Sequence, residues 1–126
     1  MKSGIVSLFA AAFILLLASN SFAQKIYTVD DAKNHIGDTA IVKGEVSQLS
    51  VTKGGQVYFN MGGKYPNNKF SAVILKANVS KFDNVKDYEG KIVEIKGEIK
   101  LYNSKPEIVL EKKDQIKISE KEETKK

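Results

Sequence analysis

The side chains of this chain that could do chemistry are rings and ammonium groups rather than nucleophiles. There is no cysteine and one histidine, His35. Thiol chemistry is therefore excluded, and no serine stands in a recognisable motif with a histidine partner. Asp30-Asp31 is an isolated pair. A bound cation needs three or four clustered oxygen or nitrogen ligands, and neither the spacing nor a histidine partner supplies them. No catalytic set, metal site or cofactor site is expected, and His35 reads as a solvated or capping residue. What remains is a set of five tyrosines and twenty lysines. Rings stack on planar groups and ammoniums follow phosphates, a combination suited to single-stranded nucleic acid or another polyanion. The plainer reading of the same residues is sheet tyrosines and solubility charges. Glu45 and Glu107 nearby oppose a polyanion.

All twenty basic residues are lysine. Arginine is the residue of bidentate base and phosphate recognition. Lysine alone attracts a polyanion as a set of point charges and is poorly equipped to read sequence.

The elements that must position these residues begin after a leader. Met1-Lys2 is a basic start, Ile5 to Ala18 is apolar and uncharged, and Ser21-Phe22-Ala23 places small residues before a cut at Gln24. Residues 1–23 thus read as a secretory signal peptide, too short in its apolar run for a bilayer span. A periplasmic or secreted protein with no stable membrane span after cleavage is expected. About 103 residues remain, enough for one domain with its own core. Without Lys2, nineteen lysines face fifteen acidic residues, a formal charge of +4. The tail from Ser119 to Lys126 carries three Glu and three Lys and is expected to be disordered.

Thr39 to Val51 reads as one long strand. Ala40, Val42 and Val46 alternate with Ile41, Lys43 and Glu45, the period of a half-buried strand. Gly44 falls on its apolar face, where glycine marks a bulge, a bend or a close backbone approach. The apolar phase then slips to Leu49 and Val51. A strand bent this way can pair with one partner before the bend and another after it. The word Val42-Lys43-Gly44-Glu45-Val46 recurs as Ile95-Lys96-Gly97-Glu98-Ile99. Two strands with one shared local problem explain this; an internal duplication is the other reading.

A short helix is expected over Thr28 to Gly37, with Thr28 as cap and Val29, Ala32 and Ile36 as its apolar stripe. Gln56 to Met61 follows as the second strand, with Val57, Phe59 and Met61 inward and Gln56, Tyr58 and Asn60 outward. Phe70 to Lys76 is the third; its run is apolar on both faces, so something must cover the second face. Asn78 to Tyr88 reads as another short helix. Lys91 to Leu101 is the fourth strand, Tyr102 to Pro106 a hairpin turn and Glu107 to Leu110 the fifth strand, with Ile116 and Ile118 continuing or closing it.

Five strands with a helix between the third and fourth is the order of an OB-fold Greek-key barrel, an all-β class. Residues 24–118 would form it. Val42 to Val46, Tyr58 to Gly63, Tyr88 to Val93, Ile95 to Ile99 and Tyr102 to Ile108 together resemble the small exported bacterial OB-fold domains of the nucleic-acid-binding OB superfamily, in the anticodon-binding-like group. Size and leader also resemble the exported OB proteins of the BOF type, whose strand signatures are missing here. The resemblance implies a non-enzymatic module. Its ligand would lie across the second and third strands, flanked by the first-to-second and fourth-to-fifth strand loops. That mapping gathers Lys53, Tyr58, Lys64, Tyr65, Lys69, Tyr102 and Lys105 into one face. A periplasmic protein binding a protein or glycan partner through the same face is the competing expectation.

Overall fold

A computed structural model describes residues 24–119. The expected signal peptide, residues 1–23, and all of the charged tail except Ser119 lie outside the described residues. The described chain is mostly β-sheet. Its strands are β1 (Ile26–Thr28), β2 (Thr39–Val51), β3 (Val57–Met61), β4 (Phe70–Ile74), β5 (Ile92–Glu98), β6 (Lys100–Tyr102), β7 (Lys105–Val109) and β8 (Ile116–Ile118). They join in the order β6-β7-β4-β3-β2-β5-β8, with β1 added in parallel to β2. Only Ile99 separates β5 from β6, so the first strand of the order and the last but one belong to one stretch of chain, residues 92–102. Among the described residues no helix is long and apolar enough to cross a membrane.

The long second strand behaves as its pattern requires. Residues 39–45 of β2 pair with β5, and 46–51 pair with β3. The register slips between Val46 and Gln48, so the irregularity lies at Ser47 and not at Gly44. Gly44 answers a different need. A Cβ there would stand 2.5 Å from Val29 Cγ2, and one on Gly62 would stand 2.8 Å from Val29 Cγ1. Val29 is seated in the notch these two glycines leave. Gly97 is a second close approach, where a Cβ would meet Ile108 Cγ2 at 2.7 Å. The inward residues of β2, β3, β4 and β5 fill one core with Phe59, Met61, Phe70, Ile95, Ile108 and Leu110 fully buried.

Neither expected helix forms as an α-helix. Thr28 ends β1 instead of starting a helix, although its Oγ1 does accept the Asp31 N–H at 3.1 Å. Only a 3-10 turn, Ala32–Asn34, follows, and Ile36 is 40% exposed instead of completing an apolar stripe. The second segment is two 3-10 pieces, Lys76–Lys81 and Val85–Tyr88. Phe82 is extended and Asn84 left-handed between them, which interrupts any i to i−4 ladder. Its apolar anchors still reach the core, with Phe82 buried and Val79, Val85 and Tyr88 packed against it.

The expected fourth strand is divided at Ile99, whose N–H donates to Asp38 O while its own carbonyl accepts from Gly37 N–H. The expected fifth strand starts two residues early, at Lys105, across a tight turn with Asn103 and Ser104 at positive φ. Such a pair at positive φ closes a two-residue hairpin. Ser119 belongs to the fold, being buried and donating its N–H to Ile92 O at 2.8 Å.

Candidate functional site

The sheet has a second face over β3, β4 and β7, and polar residues cross it in register. Gln48 of β2 faces Asn60 of β3, Asn60 faces Ser71 of β4, Ser71 faces Glu107 of β7, and Glu107 faces Lys100 of β6. Alternation along each strand explains the row: Asn60 sits between the core residues Phe59 and Met61, and Ser71 between Phe70 and Ala72. Asn60 does point out of the core, as expected, yet it is only 2% exposed.

The cover is the loop after β3. Gly62 and Gly63, both at positive φ, reverse the chain, and Lys69 N–H donates back to Met61 O at 3.0 Å. Asn68 turns inward and becomes the loop's anchor. Its Nδ2 donates to Ser71 Oγ (2.8 Å), Phe70 O (3.2 Å) and Asn60 Oδ1 (3.3 Å). Ser71 Oγ donates to Asn60 Oδ1 at 2.9 Å, and Asn60 Nδ2 donates to Gln48 Oε1 at 3.0 Å and Ser50 Oγ at 3.3 Å. The same Gln48 oxygen accepts Tyr65 N–H at 2.9 Å. This is the cover that the doubly apolar third strand requires, since all five residues of β4 are buried.

Over this floor lies an open cleft of about 580 Å³. Tyr58 from β3, Tyr65 from the loop, and Tyr102 and Lys105 from the β6–β7 hairpin all line it. Tyr65 is 71% exposed and Tyr102 57%, whereas Tyr58 is half-buried with its hydroxyl accepting from Gln56 Nε2. Lys105 is not a free arm. Its ammonium donates to Pro66 O and Asn68 Oδ1 and stands 5.6 Å from the centre of the Tyr65 ring. It braces the loop and places one positive charge at the cleft.

The seven sequence-derived residues therefore divide. Tyr58, Tyr65, Tyr102 and Lys105 come together, and Lys53, Lys64 and Lys69 are exposed but do not line the cleft. Lys69 turns instead to a neighbouring hollow, where it pairs with Asp30 at 3.3 Å. Sequence reasoning missed the polar floor of Asn60, Asn68 and Ser71. It named Glu107 only as an opposing charge. Glu107 is 8% exposed and lines the cleft beside Ser71, with no hydrogen bond or ion pair among the described residues. Burial pushes its carboxyl above the ordinary glutamate range, against a smaller opposing pull from Lys100. Among the described residues no group of three or more His, Cys, Asp or Glu could hold a metal ion.

None of the family models matches the sequence, and none of the curated proteins does. The fold is similar to part of a solved structure described as an aspartyl-tRNA synthetase from Leishmania major Friedlin. The TM-score is 0.52, with 11% sequence identity over 79% of this chain. The match spans 22% of that chain.

Proposed function

We propose that the chain is an exported, non-enzymatic OB-fold module that binds single-stranded nucleic acid, or a comparable oligoanion, in the tyrosine-lined cleft. Residues 92–102 taken as one strand, with the short β1 and β8 set aside, leave five principal strands, namely β2, β3, β4, 92–102 and β7. An order that begins on β6 and comes back to β5 before β8 supports the connectivity of a Greek-key barrel. In that architecture oligomers lie across the second and third strands, here β3 and β4. The observation that carries the reading is the convergence of Tyr58, Tyr65 and Tyr102, from three separate segments, on that face. Exposed rings offer stacking surfaces that every base can use. The structural neighbour is named for tRNA, which is consistent with this ligand class.

Export rests on the leader pattern of residues 1–23 and places the module in the periplasm or outside the cell. N-terminal sequencing of protein from the cell envelope should find Gln24 first, or a residue within two of it.

The direct test is fluorescence anisotropy with a labelled single strand at two salt concentrations. Binding should be weak, strongest at low salt, and governed by few phosphate contacts because, among the described residues, Lys105 is the one lysine that lines the cleft. If the flanking Lys53 and Lys64 also reach the strand, log K should fall against log salt with a slope near about −2. The polar floor and the scarcity of converging lysines favour a second reading, a neutral glycan laid against the rings. Binding of an oligosaccharide that ignores salt, with no oligonucleotide binding, would select it.

A further inference from the structure

We infer that Glu107 makes the cleft selective for a nucleobase that presents an amino group, cytosine over uracil in the simplest comparison. This rests on the nucleic-acid reading above. In the polar row Gln48, Asn60 and Ser71 are hydrogen-bonded to one another in turn, and Glu107, although it feels the charge of Lys100 opposite, is not hydrogen-bonded. Asn60 and Ser71 are bonded to each other and Asn68 to both, while Glu107, next in the row, is more than nine-tenths buried, lines the cleft and has no hydrogen-bond partner among the described residues. A buried polar group without a partner is costly, and native structures pair such groups. A donor brought by the ligand would complete the row.

The chemistry of that donor follows from its neighbours. An ionised carboxylate accepts and cannot donate. The Lys105 ammonium beside the Tyr65 ring disfavours a cationic ligand and suits a phosphate. The three rings suit a planar group. A nucleotide meets all three demands when its base turns an amino group to the floor. Cytosine does so through N4, the pairing by which Glu and Asp read this base. Uracil places an oxygen there, and two acceptors would face each other. The lysines remain indifferent to base identity, so the preference belongs to one position of the bound strand.

The test compares labelled oligo(dC) and oligo(dU) 12-mers at pH 7.5 and low salt by anisotropy. The protein should bind oligo(dC) roughly five- to tenfold more tightly, the low end of what one good base contact gives. Glu107→Gln should level that ratio, since an amide can donate to the uracil oxygen as well as accept from cytosine. A third strand carrying 2-pyrimidinone, which is cytosine with the amino group replaced by hydrogen, probes the contact without changing the protein; it should lose the advantage of oligo(dC). Equal affinity for the cytosine and uracil strands overturns the inference while leaving the nucleic-acid reading intact. A cytosine preference that survives in Glu107→Gln overturns the assignment to Glu107. Absence of binding to every strand overturns the reading and the inference together.

Discussion

Lys105 Nζ donates to Asn68 Oδ1 at 2.9 Å, and this contact fastens β7 to the loop that follows β3. The two residues lie far apart in the chain, yet together they set both the wall and the floor of the cleft. Asn68 is the busier partner, because its amide also serves Ser71, Phe70 and Asn60.

Asn68→Ala should therefore destabilise the fold by about 1–3 kcal/mol, the cost of leaving buried partners unsatisfied. Urea unfolding measures it. An unchanged midpoint would mean that the loop is held by something other than this side chain.

Gly44→Ala should cost about 1–3 kcal/mol, because the new Cβ meets Val29. The cost has a named cause, so it should shrink when Val29→Ala is added. A double-mutant cycle reads that coupling directly, and simple additivity of the two losses would refute the notch. Gly97→Val, pressed against Ile108, should fall in the same range of about 1–3 kcal/mol without rescue from Val29→Ala.

Tyr102→Ala should weaken oligonucleotide binding by about 1–3 kcal/mol if the ring stacks a base. Its exposure predicts little change in stability. Anisotropy and urea midpoints on one preparation separate the two effects. Full affinity in this variant would move the bound strand away from the β6–β7 hairpin.

Glu107→Gln should raise stability at neutral pH. The folded-state pKa of Glu107 lies above its unfolded value because of burial. The folded state thus holds its proton more tightly, and stability falls as pH rises from the ordinary glutamate range through the folded pKa. Lys100, which faces Glu107 across the β6–β7 pair, reduces this effect without reversing it. The variant's gain in urea midpoint should be present at pH 7 and vanish below the ordinary glutamate range. A gain of equal size at both ends would trace it to packing, not to charge.

Much of the β pattern was legible. Alternation placed Val57, Phe59 and Met61 in the core, and the phase slip after Val46 marked the irregularity found at Ser47. Tyr58, Tyr65 and Tyr102 were legible as exposed or half-exposed rings in the right segments. Local pattern could not show the closure of the loop over Asn60, because that depends on Asn68 and Lys105 meeting across the sheet. Glu107 was hidden for the same reason. Its place beside Ser71 exists only through the parallel pairing of β7 with β4, which no short-range signal encodes. The two helices failed for a different cause. Their apolar spacing was real, but segments so short are marginal as helices, and an extended Phe82 with a left-handed Asn84 satisfied the same anchors.

The parallel pairing of β4 with β7 also bears on how the molecule assembles. Residues 75–104 must be laid out before Ser71 can meet Glu107, so this ladder joins chain segments of large sequence separation. Such contacts are slow to form, because loop closure precedes their reward. The antiparallel β2–β3–β4 meander can form first from near neighbours, leaving the cleft as a late product of folding. The β6–β7 hairpin carries Tyr102, Lys105 and Glu107 together, and β6 lies at the end of the hydrogen-bonded order. Local opening of that hairpin would dismantle the ligand site while the rest of the sheet stayed paired. Hydrogen exchange should show it as the amides of residues 100–105 and of Glu107 exchanging well before those of β2.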